Sequence, residues 1–244
     1  MLTINHLHPS LINELKIKHM EQSKLSNQGQ QLIKFYEQMA TEGYWRINGE
    51  KVEDAFNDFE LRKFRNVCKD KISNPNIKTV LDYGGGGSDW DAENFEEKTG
   101  ESAKQFFQLE NVTTFEPARS LMTKESADCV VCMDVLEHIF IADIPKIVNE
   151  LLSLSKKLLV LNVACYKAAA LLPNGENAHI TVRAPDWWKG VIDASATNYR
   201  DVEIMLICST TFQTGIVYET FKAHDWHLSK HFTVDENYLT FGPN

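Results

Sequence analysis

The feature of this 244-residue sequence that most constrains its fold is a series of four short strand-like segments, the first three of which are followed directly by glycine or an acidic residue. These segments are residues 79–83, 112–115, 129–133 and 158–163. A helical stripe over residues 144–151 precedes the last of them. Near-continuous apolar strands that alternate with helices are typical of a parallel sheet covered on both faces. The sequence therefore predicts an α/β fold, in which ligands bind beyond the carboxyl ends of the strands.

A glycine loop, Gly84–Gly87, follows the first of these strands directly. Glycines let the backbone turn sharply and approach a ligand closely, although a tight turn alone explains such a loop equally well. No Gly-Lys-Ser/Thr follows, so the loop is not a P-loop. In a dinucleotide fingerprint a third glycine is needed where Asp89 stands, and an acid there repels a pyrophosphate. The loop thus favours a nucleoside cofactor without phosphates over a nicotinamide cofactor.

Three segments together resemble a known family. They are the strand and glycine loop at residues 80–88, the acidic corner Phe-Glu-Pro-Ala at 115–118, and Asp-Cys-Val-Val-Cys-Met-Asp-Val-Leu-Glu-His-Ile at 128–139. In this order they resemble the class I S-adenosylmethionine-dependent methyltransferases, in particular those that act on small molecules. Residues 177–188 are similar to a segment of an uncharacterised bacterial subgroup of that family. The resemblance implies a Rossmann-like methyltransferase sheet, mostly parallel, and residues 215–221 are expected to add an antiparallel C-terminal strand.

The resemblance also implies S-adenosylmethionine as cofactor and S-adenosylhomocysteine as product. Gly84 and Gly86 are expected to lie against the methionine part of the cofactor, and Asp82 is expected to orient that loop and the ammonium group. Glu116 is expected to accept hydrogen bonds from the ribose hydroxyls with its two carboxylate oxygens. Asp134 is expected to face the same crevice, although capping of the following turn is an alternative role.

The sequence departs from the family pattern in two places. An acidic insertion at residues 89–97 follows the glycine loop, where a helix is usual in the family. Only residues 119–127 separate the acidic corner from the next strand, and a parallel crossover takes about a dozen residues or more. The sheet is therefore expected to be abbreviated around its third strand. Leu121 and Met122 are the predicted apolar substitutes at the adenine face.

Two histidines are candidate general bases. His138 follows the third strand, and His179 follows the fourth through a loop that contains Pro173 and Gly175. Histidine is the side chain whose ordinary pKa lies nearest neutral pH, although each histidine has a purely structural alternative. The predicted function is methyl transfer to a small-molecule or sugar-type acceptor. The alternative is a methyltransferase-like binding or regulatory module without catalysis.

The chain is predicted to have three parts. Residues 1–75 form a helical N-terminal extension, in which the aromatic stretch 36–45 is expected to act as a lid over the ligand. Residues 76–221 form the methyltransferase domain, and residues 222–244 form a C-terminal tail. The oligomeric state is left open.

Composition excludes several other classes of protein. The chain has 25 basic and 34 acidic residues, and a net charge of −9 disfavours a nucleic-acid partner. No apolar run approaches the ~18 residues of a membrane span, so no membrane partner is expected. The N-terminus lacks the pattern of a secretory signal. Together with five cysteines in mainly apolar surroundings, this predicts a cytoplasmic protein with reduced thiols.

The cysteines and histidines do not form a recognisable metal motif in the sequence. Cys129 and Cys132 are spaced as CxxC, but within a strand this spacing directs the two thiols to opposite faces. His227 and His231 lack a third ligand nearby. No metal site is therefore expected.

Overall fold

The computed structural model describes residues 25–53, 60–225 and 230–240. In chain order the helices are α1 (Asn27–Glu42), α2 (Glu60–Ile72), α3 (Ala103–Phe106), α4 (Ile144–Leu154) and α5 (Pro185–Ala196). The strands are β1 (Tyr44–Arg46), β2 (Lys51–Val52), β3 (Thr79–Tyr83), β4 (Asn111–Phe115), β5 (Ala127–Met133), β6 (Ser155–Ala164), β7 (Ala170–Leu171), β8 (Glu203–Ser209), β9 (Gly215–Phe221) and β10 (His231–Val234).

The main sheet has seven strands in the order β10-β9-β8-β6-β5-β3-β4. The five strands from β8 to β4 run parallel, and β9 and β10 pair antiparallel at the other end. The predicted α/β fold with a mostly parallel sheet is confirmed, and so is the antiparallel pairing of residues 215–221. A second sheet of three short strands, in the order β2-β1-β7, lies outside the main one.

The sheet ends at β4 in the described part of the chain. Residues 119–126, which follow β4, contribute no strand to it. A 3-10 turn at Pro117–Arg119 is followed by a backbone bridge between Glu116 and Leu121. The connection from β4 to β5 is too short to hold a crossover helix and a further strand, and it contains neither.

Helices cover both faces of the sheet. On one face α4 and α5 pack on it through Ile147, Leu151 and Trp188, and on the other α2 does so through Phe64 and Ile72, with α3 beside it. Because both faces are buried, the central strands are apolar at nearly every position, which is why they were recognisable in the sequence.

The two cysteines of the CxxC spacing lie on opposite faces, as expected. Cys129 belongs to the core on the α2 face and Cys132 to the core on the α4 face. Both are fully buried, and all five cysteines are free thiols.

The N-terminal region is helical in its described parts, α1 and α2. Residues 1–24 and 54–59 lie outside the described residues. The C-terminal region contains β10, which pairs with β9 and so extends the sheet beyond residue 221. The division of the chain at residues 75 and 221, and the role of the first part as a lid, stay predictions.

In residues 25–53, 60–225 and 230–240, no helix has both the length and the apolar character that crossing a bilayer requires.

Candidate functional site

A cavity of about 790 Å³ opens at the carboxyl ends of β3, β4, β5 and β6. Its volume lies within the ordinary range of ligand pockets, roughly 300–1,000 Å³. Eight of the nine residues singled out from the sequence line it: Asp82, Gly84, Gly86, Glu116, Met122, Asp134, His138 and His179. Leu121 is not among the lining residues, and its backbone instead pairs with that of Glu116.

The glycine loop bends where no larger residue fits. Gly84 has a φ of +75°, which side-chain-bearing residues rarely adopt. A Cβ at this position would lie 2.5 Å from Cγ2 of Val135. The loop backbone therefore packs directly against the turn that follows β5, and Gly84 lines the cavity at this point.

Glu116 joins the glycine loop to the end of β4. Its Oε2 accepts a hydrogen bond from the backbone N–H of Gly86 at 3.0 Å, and its Oε1 accepts one from Ala118 at 2.9 Å. The contact with Ala118 caps the 3-10 turn that begins at Pro117. Each carboxylate oxygen can accept more than one hydrogen bond, so these contacts leave acceptor capacity for a ligand.

Asp82 is buried beneath the loop with a partner that the sequence did not suggest. The indole Nε1 of Trp90 donates a hydrogen bond to its Oδ2 at 2.8 Å. Burial raises the pKa of Asp82 to about 6, although the hydrogen bonds from Trp90 and Ser88 oppose the rise. Trp90 belongs to the acidic insertion and is itself 4% exposed.

Asp134 follows β5 directly and has an unusual backbone conformation. Its φ is +58°, the left-handed region, which aspartate tolerates better than most residues. Its side chain is 41% exposed, and its Oδ2 lies 3.9 Å from Nε2 of His138. Burial among protein atoms acts to raise the pKa of Asp134, but the neighbouring His138 outweighs it and holds the pKa well below its usual range.

His138 lies at the end of the following 3-10 turn, Leu136–His138. Its Nδ1 lies 3.0 Å from the carbonyl oxygen of Ala178 and 2.5 Å from the hydroxyl of Tyr36. A carbonyl oxygen only accepts, so the first contact is a hydrogen bond when Nδ1 carries the proton. In that tautomer the Tyr36 hydroxyl donates to the same carbonyl, at 3.3 Å, and in the other tautomer it donates to Nδ1.

His179 reaches the cavity from the hairpin that follows β6. Its Nδ1 lies 2.5 Å from the carbonyl oxygen of Tyr166, so this nitrogen also carries the proton. Burial lowers the pKa of His179, and the nearby His138 lowers it further, so the ring is neutral at pH 7. The rings of His138 and His179 meet edge to face, with centroids 4.7 Å apart.

Asn177 holds this hairpin in place. Its side chain accepts from the backbone N–H groups of Ala168 and His179 and donates to the carbonyl of Ala168. Thr181 binds the backbone next to His138, through its N–H to Glu137 and its hydroxyl to Ile139. These contacts bring His179 beside His138.

Glu137 lies fully buried behind the two histidines. Its Oε1 accepts from the backbone N–H of Ala164, while its Oε2 has no hydrogen-bond partner in the described part of the chain. Burial and the charge of Asp134 raise the pKa of Glu137 well above its usual range.

Helix α1 forms one wall of the cavity. Ser26, its N-cap, donates to Asp143 through both its backbone N–H, at 2.9 Å, and its hydroxyl, at 2.6 Å. Gly29 fits against the same carboxylate, because a Cβ there would lie 2.5 Å from Asp143 Oδ2. Tyr36, about two turns beyond Gly29, reaches His138.

Comparison of the chain with protein-family models, with curated proteins and with solved structures gives no match.

The geometry limits the cofactors that the glycine loop can hold. Residues 89–102 form turns and bends, and the next helix begins only at Ala103. The loop is therefore not followed by a helix N-terminus, the usual binding site for a pyrophosphate. The carboxylate of Asp89 binds the backbone N–H groups of Asp91 and Ala92, which folds the insertion back on itself.

Proposed function

We propose that this protein transfers a methyl group from S-adenosylmethionine to a small-molecule acceptor and releases S-adenosylhomocysteine. The observation that carries the proposal is the junction of the glycine loop with Glu116 at the mouth of the cavity. A loop that exposes its backbone, beside a carboxylate with free acceptor capacity, suits a nucleoside whose ribose has two hydroxyls. The lack of a helix after the loop, over residues 89–102, favours a cofactor without phosphates.

The acidic lining of the cavity suits the positive charge of this cofactor. Asp82, Glu116 and Asp134 contribute carboxyl groups to it, and Asp134 is ionised at neutral pH because its pKa is low. S-adenosylmethionine carries a sulfonium and an ammonium group, and opposite charges attract more strongly in a partly buried site than in water. Met122, which is exposed and lines the cavity, is the candidate for contact with the adenine.

Methyl transfer from a sulfonium is an in-line displacement, and good alignment of the two reactants supplies much of the rate enhancement. An acceptor in the same cavity would lie near His138 and His179, which the sequence suggested as bases. Helix α1, with Tyr36 facing His138, would enclose the acceptor from one side.

Calorimetric titration of the full chain with S-adenosylhomocysteine tests the proposal. Binding at one site per chain, together with a rise of a few degrees in the melting temperature, is the expected result. NAD and ATP serve as phosphate-bearing controls and are expected not to bind. If S-adenosylhomocysteine neither binds nor shifts the melting temperature, the cofactor assignment is wrong, and a module without this chemistry is the better description.

A further inference from the structure

Three side chains on the cavity wall bring metal-ligating atoms together. Asp134, His138 and His179 each offer one such atom, and these atoms lie within 4.8 Å of one another. The first two residues come from the turn after β5, whereas His179 comes from the hairpin after β6. The sequence predicted no metal site, because no local spacing connects residue 179 with the other two.

The hydrogen bonds of the two histidines leave the same nitrogen free on each ring. Nδ1 of His179 donates to the carbonyl of Tyr166, and in the tautomer that carries its proton on Nδ1, His138 donates in the same way to the carbonyl of Ala178. In these tautomers each ring has its lone pair on Nε2. A backbone carbonyl on one ring nitrogen is the usual arrangement around a metal-binding histidine, since it fixes both the tautomer and the ring orientation.

The position of Asp134 has no explanation in packing alone. Its left-handed backbone costs about 1 kcal/mol relative to an ordinary conformation, and such conformations concentrate at functional sites. Its side chain remains 41% exposed at the cavity, and its Oδ2 lies 3.9 Å from Nε2 of His138. Val135, not Asp134, stands at the N-cap of the following turn, so capping does not account for the aspartate.

We propose that Asp134, His138 and His179 bind one divalent first-row transition-metal ion through one carboxylate oxygen and two Nε2 atoms. Such an ion takes imidazole readily, whereas Mg²⁺ and Ca²⁺ prefer oxygen ligands. Metal–ligand bonds of about 2.0–2.2 Å place neighbouring ligand atoms roughly 3–3.5 Å apart. The ion therefore draws the three atoms together by roughly 1 Å.

Three protein ligands leave coordination positions open toward the cavity, as in catalytic metal sites. This part of the inference rests on the proposed methyl transfer. The ion binds a hydroxyl oxygen of the acceptor and lowers its pKa, so that its proton passes to solvent. The oxygen then attacks the methyl carbon, the new O–CH₃ bond forms as the S–CH₃ bond breaks, and the bonding electron pair stays on sulfur. The acceptor class is accordingly an oxygen compound able to coordinate a metal, and the two histidines act as ligands instead of bases.

The metal site is tested with the full chain, purified with a chelator and a reductant and then freed of both. Calorimetry with Zn²⁺, and visible absorption with Co²⁺, measure affinity, stoichiometry and ligand type. One ion per chain is expected, with a cobalt spectrum typical of nitrogen and oxygen ligands and with Mg²⁺ bound far more weakly. A thiolate-to-cobalt band would assign the ion to cysteines and would overturn the proposal.

The decisive variants are His138→Asn and His179→Asn. An asparagine amide nitrogen stands close to where Nδ1 stands, so it still donates to Ala178 or Tyr166, but no ligand replaces Nε2. Each variant is expected to bind zinc at least about a hundredfold more weakly than the wild type. Loss of a group that only hydrogen-bonds to a metal ligand already lowers metal affinity by roughly 10–100-fold. His224→Asn, outside the cluster, is the matched control and is expected to bind zinc as the wild type does. Equal zinc affinity in all four proteins overturns the proposal.

Titration of the same samples with S-adenosylhomocysteine separates the two proposals. Cofactor binding without zinc binding removes the metal site and leaves the methyltransferase proposal standing. Zinc binding without cofactor binding supports the metal site and removes the methyl-transfer role assigned to it. Circular dichroism of the asparagine variants checks that each is folded, and intact cofactor binding gives a second check.

Discussion

The backbone N–H of Gly86 donates a hydrogen bond to Oε2 of Glu116 across 3.0 Å, which fixes the glycine loop to the end of the neighbouring strand. The same carboxylate receives the N–H of Ala118 on its other oxygen. Glu116 therefore shapes the loop in addition to any contact it makes with a ribose.

Replacement of Glu116 is expected to weaken the binding of S-adenosylhomocysteine. Glu116→Ala removes both acceptors and the charge, and a loss of about tenfold or more, roughly 1.4 kcal/mol, is expected by calorimetry. Glu116→Gln keeps one acceptor oxygen and is expected to give an intermediate affinity. Glu125→Ala, an exposed acid on the same connection, serves as control. An alanine variant that binds as tightly as the wild type would refute the ribose assignment.

Asp82 is expected to make stability depend on pH in the mildly acidic range. Its pKa is about 6 in the folded protein because of burial, against 3.8 when exposed, so the folded state holds this proton more tightly. Its contribution to the free energy of unfolding is complete below pH 4 and is lost as the pH rises through 6. The free energy of unfolding of the wild type, relative to that of Asp82→Asn, should therefore decrease by about 3 kcal/mol as the pH rises from 4 to above 6.

Urea denaturation at a series of pH values from 4 to 8 measures this difference. Asp82→Asn keeps an oxygen that accepts from Trp90, so the indole contact is retained in the variant. A constant difference across the series would show that Asp82 is ionised throughout. If Asp82 also attracts the cofactor's ammonium, wild-type affinity rises with pH through 6, whereas that of the asparagine variant does not.

The parts of the site that follow strands directly were predictable from the sequence. Gly84, Glu116 and Asp134 each come within two residues of the end of an apolar strand, and parallel strands end at one edge of the sheet. Their convergence follows from the fold class alone. The proximity of Gly86 and Glu116 is a consequence of β3 pairing with β4.

Contacts that depend on how loops fold back were not predictable. His179 meets His138 because the hairpin around Gly175 returns the chain and Asn177 fastens it, and no local pattern encodes this. The inward position of Trp90 depends likewise on tertiary packing beneath the loop. Strand β10 was missed because three of its four residues are exposed, so it lacks the apolar signature of the central strands.

Alanine at Gly84 is expected to destabilise the fold and the cofactor site together. The positive φ of this residue costs about 1–2 kcal/mol for any side chain, and the clash with Val135 adds to that cost. Gly175→Ala is the matched control, because its φ is +84° and no atom lies within 4 Å of the added Cβ. Urea denaturation should show a larger loss for Gly84→Ala than for Gly175→Ala.

A double variant tests whether contact with Val135 causes the extra loss of stability in Gly84→Ala. Gly84→Ala combined with Val135→Ala removes the methyl groups that the new Cβ meets, so part of the lost stability should return. Strictly additive effects of the two substitutions would show that the contact with Val135 does not carry the cost.

Asp128 is expected to stabilise the start of the sheet through its charge. Its Oδ2 accepts from the backbone N–H groups of Lys78 and Thr79, and its Oδ1 lies 2.7 Å from Nζ of Lys157. Burial acts to raise the pKa of Asp128, but these partners outweigh it and lower the pKa to about 2. Because the folded pKa lies below the ordinary value of 3.8, the stabilisation is complete above pH 4 and is lost as the pH falls through 2.

Asp128→Asn should therefore lower the free energy of unfolding by about 2 kcal/mol at pH 7. The difference in this free energy between wild type and variant should become smaller below pH 4. Urea denaturation at pH 7, 5 and 3 measures it. Glu110→Gln is the control, since Glu110 is exposed and lies 3.8 Å from Lys78, and such surface pairs contribute little. If Asp128→Asn lowers the free energy of unfolding at pH 7 by no more than Glu110→Gln does, the charge of Asp128 adds no net stability. An asparagine of the same size would then replace the aspartate without loss.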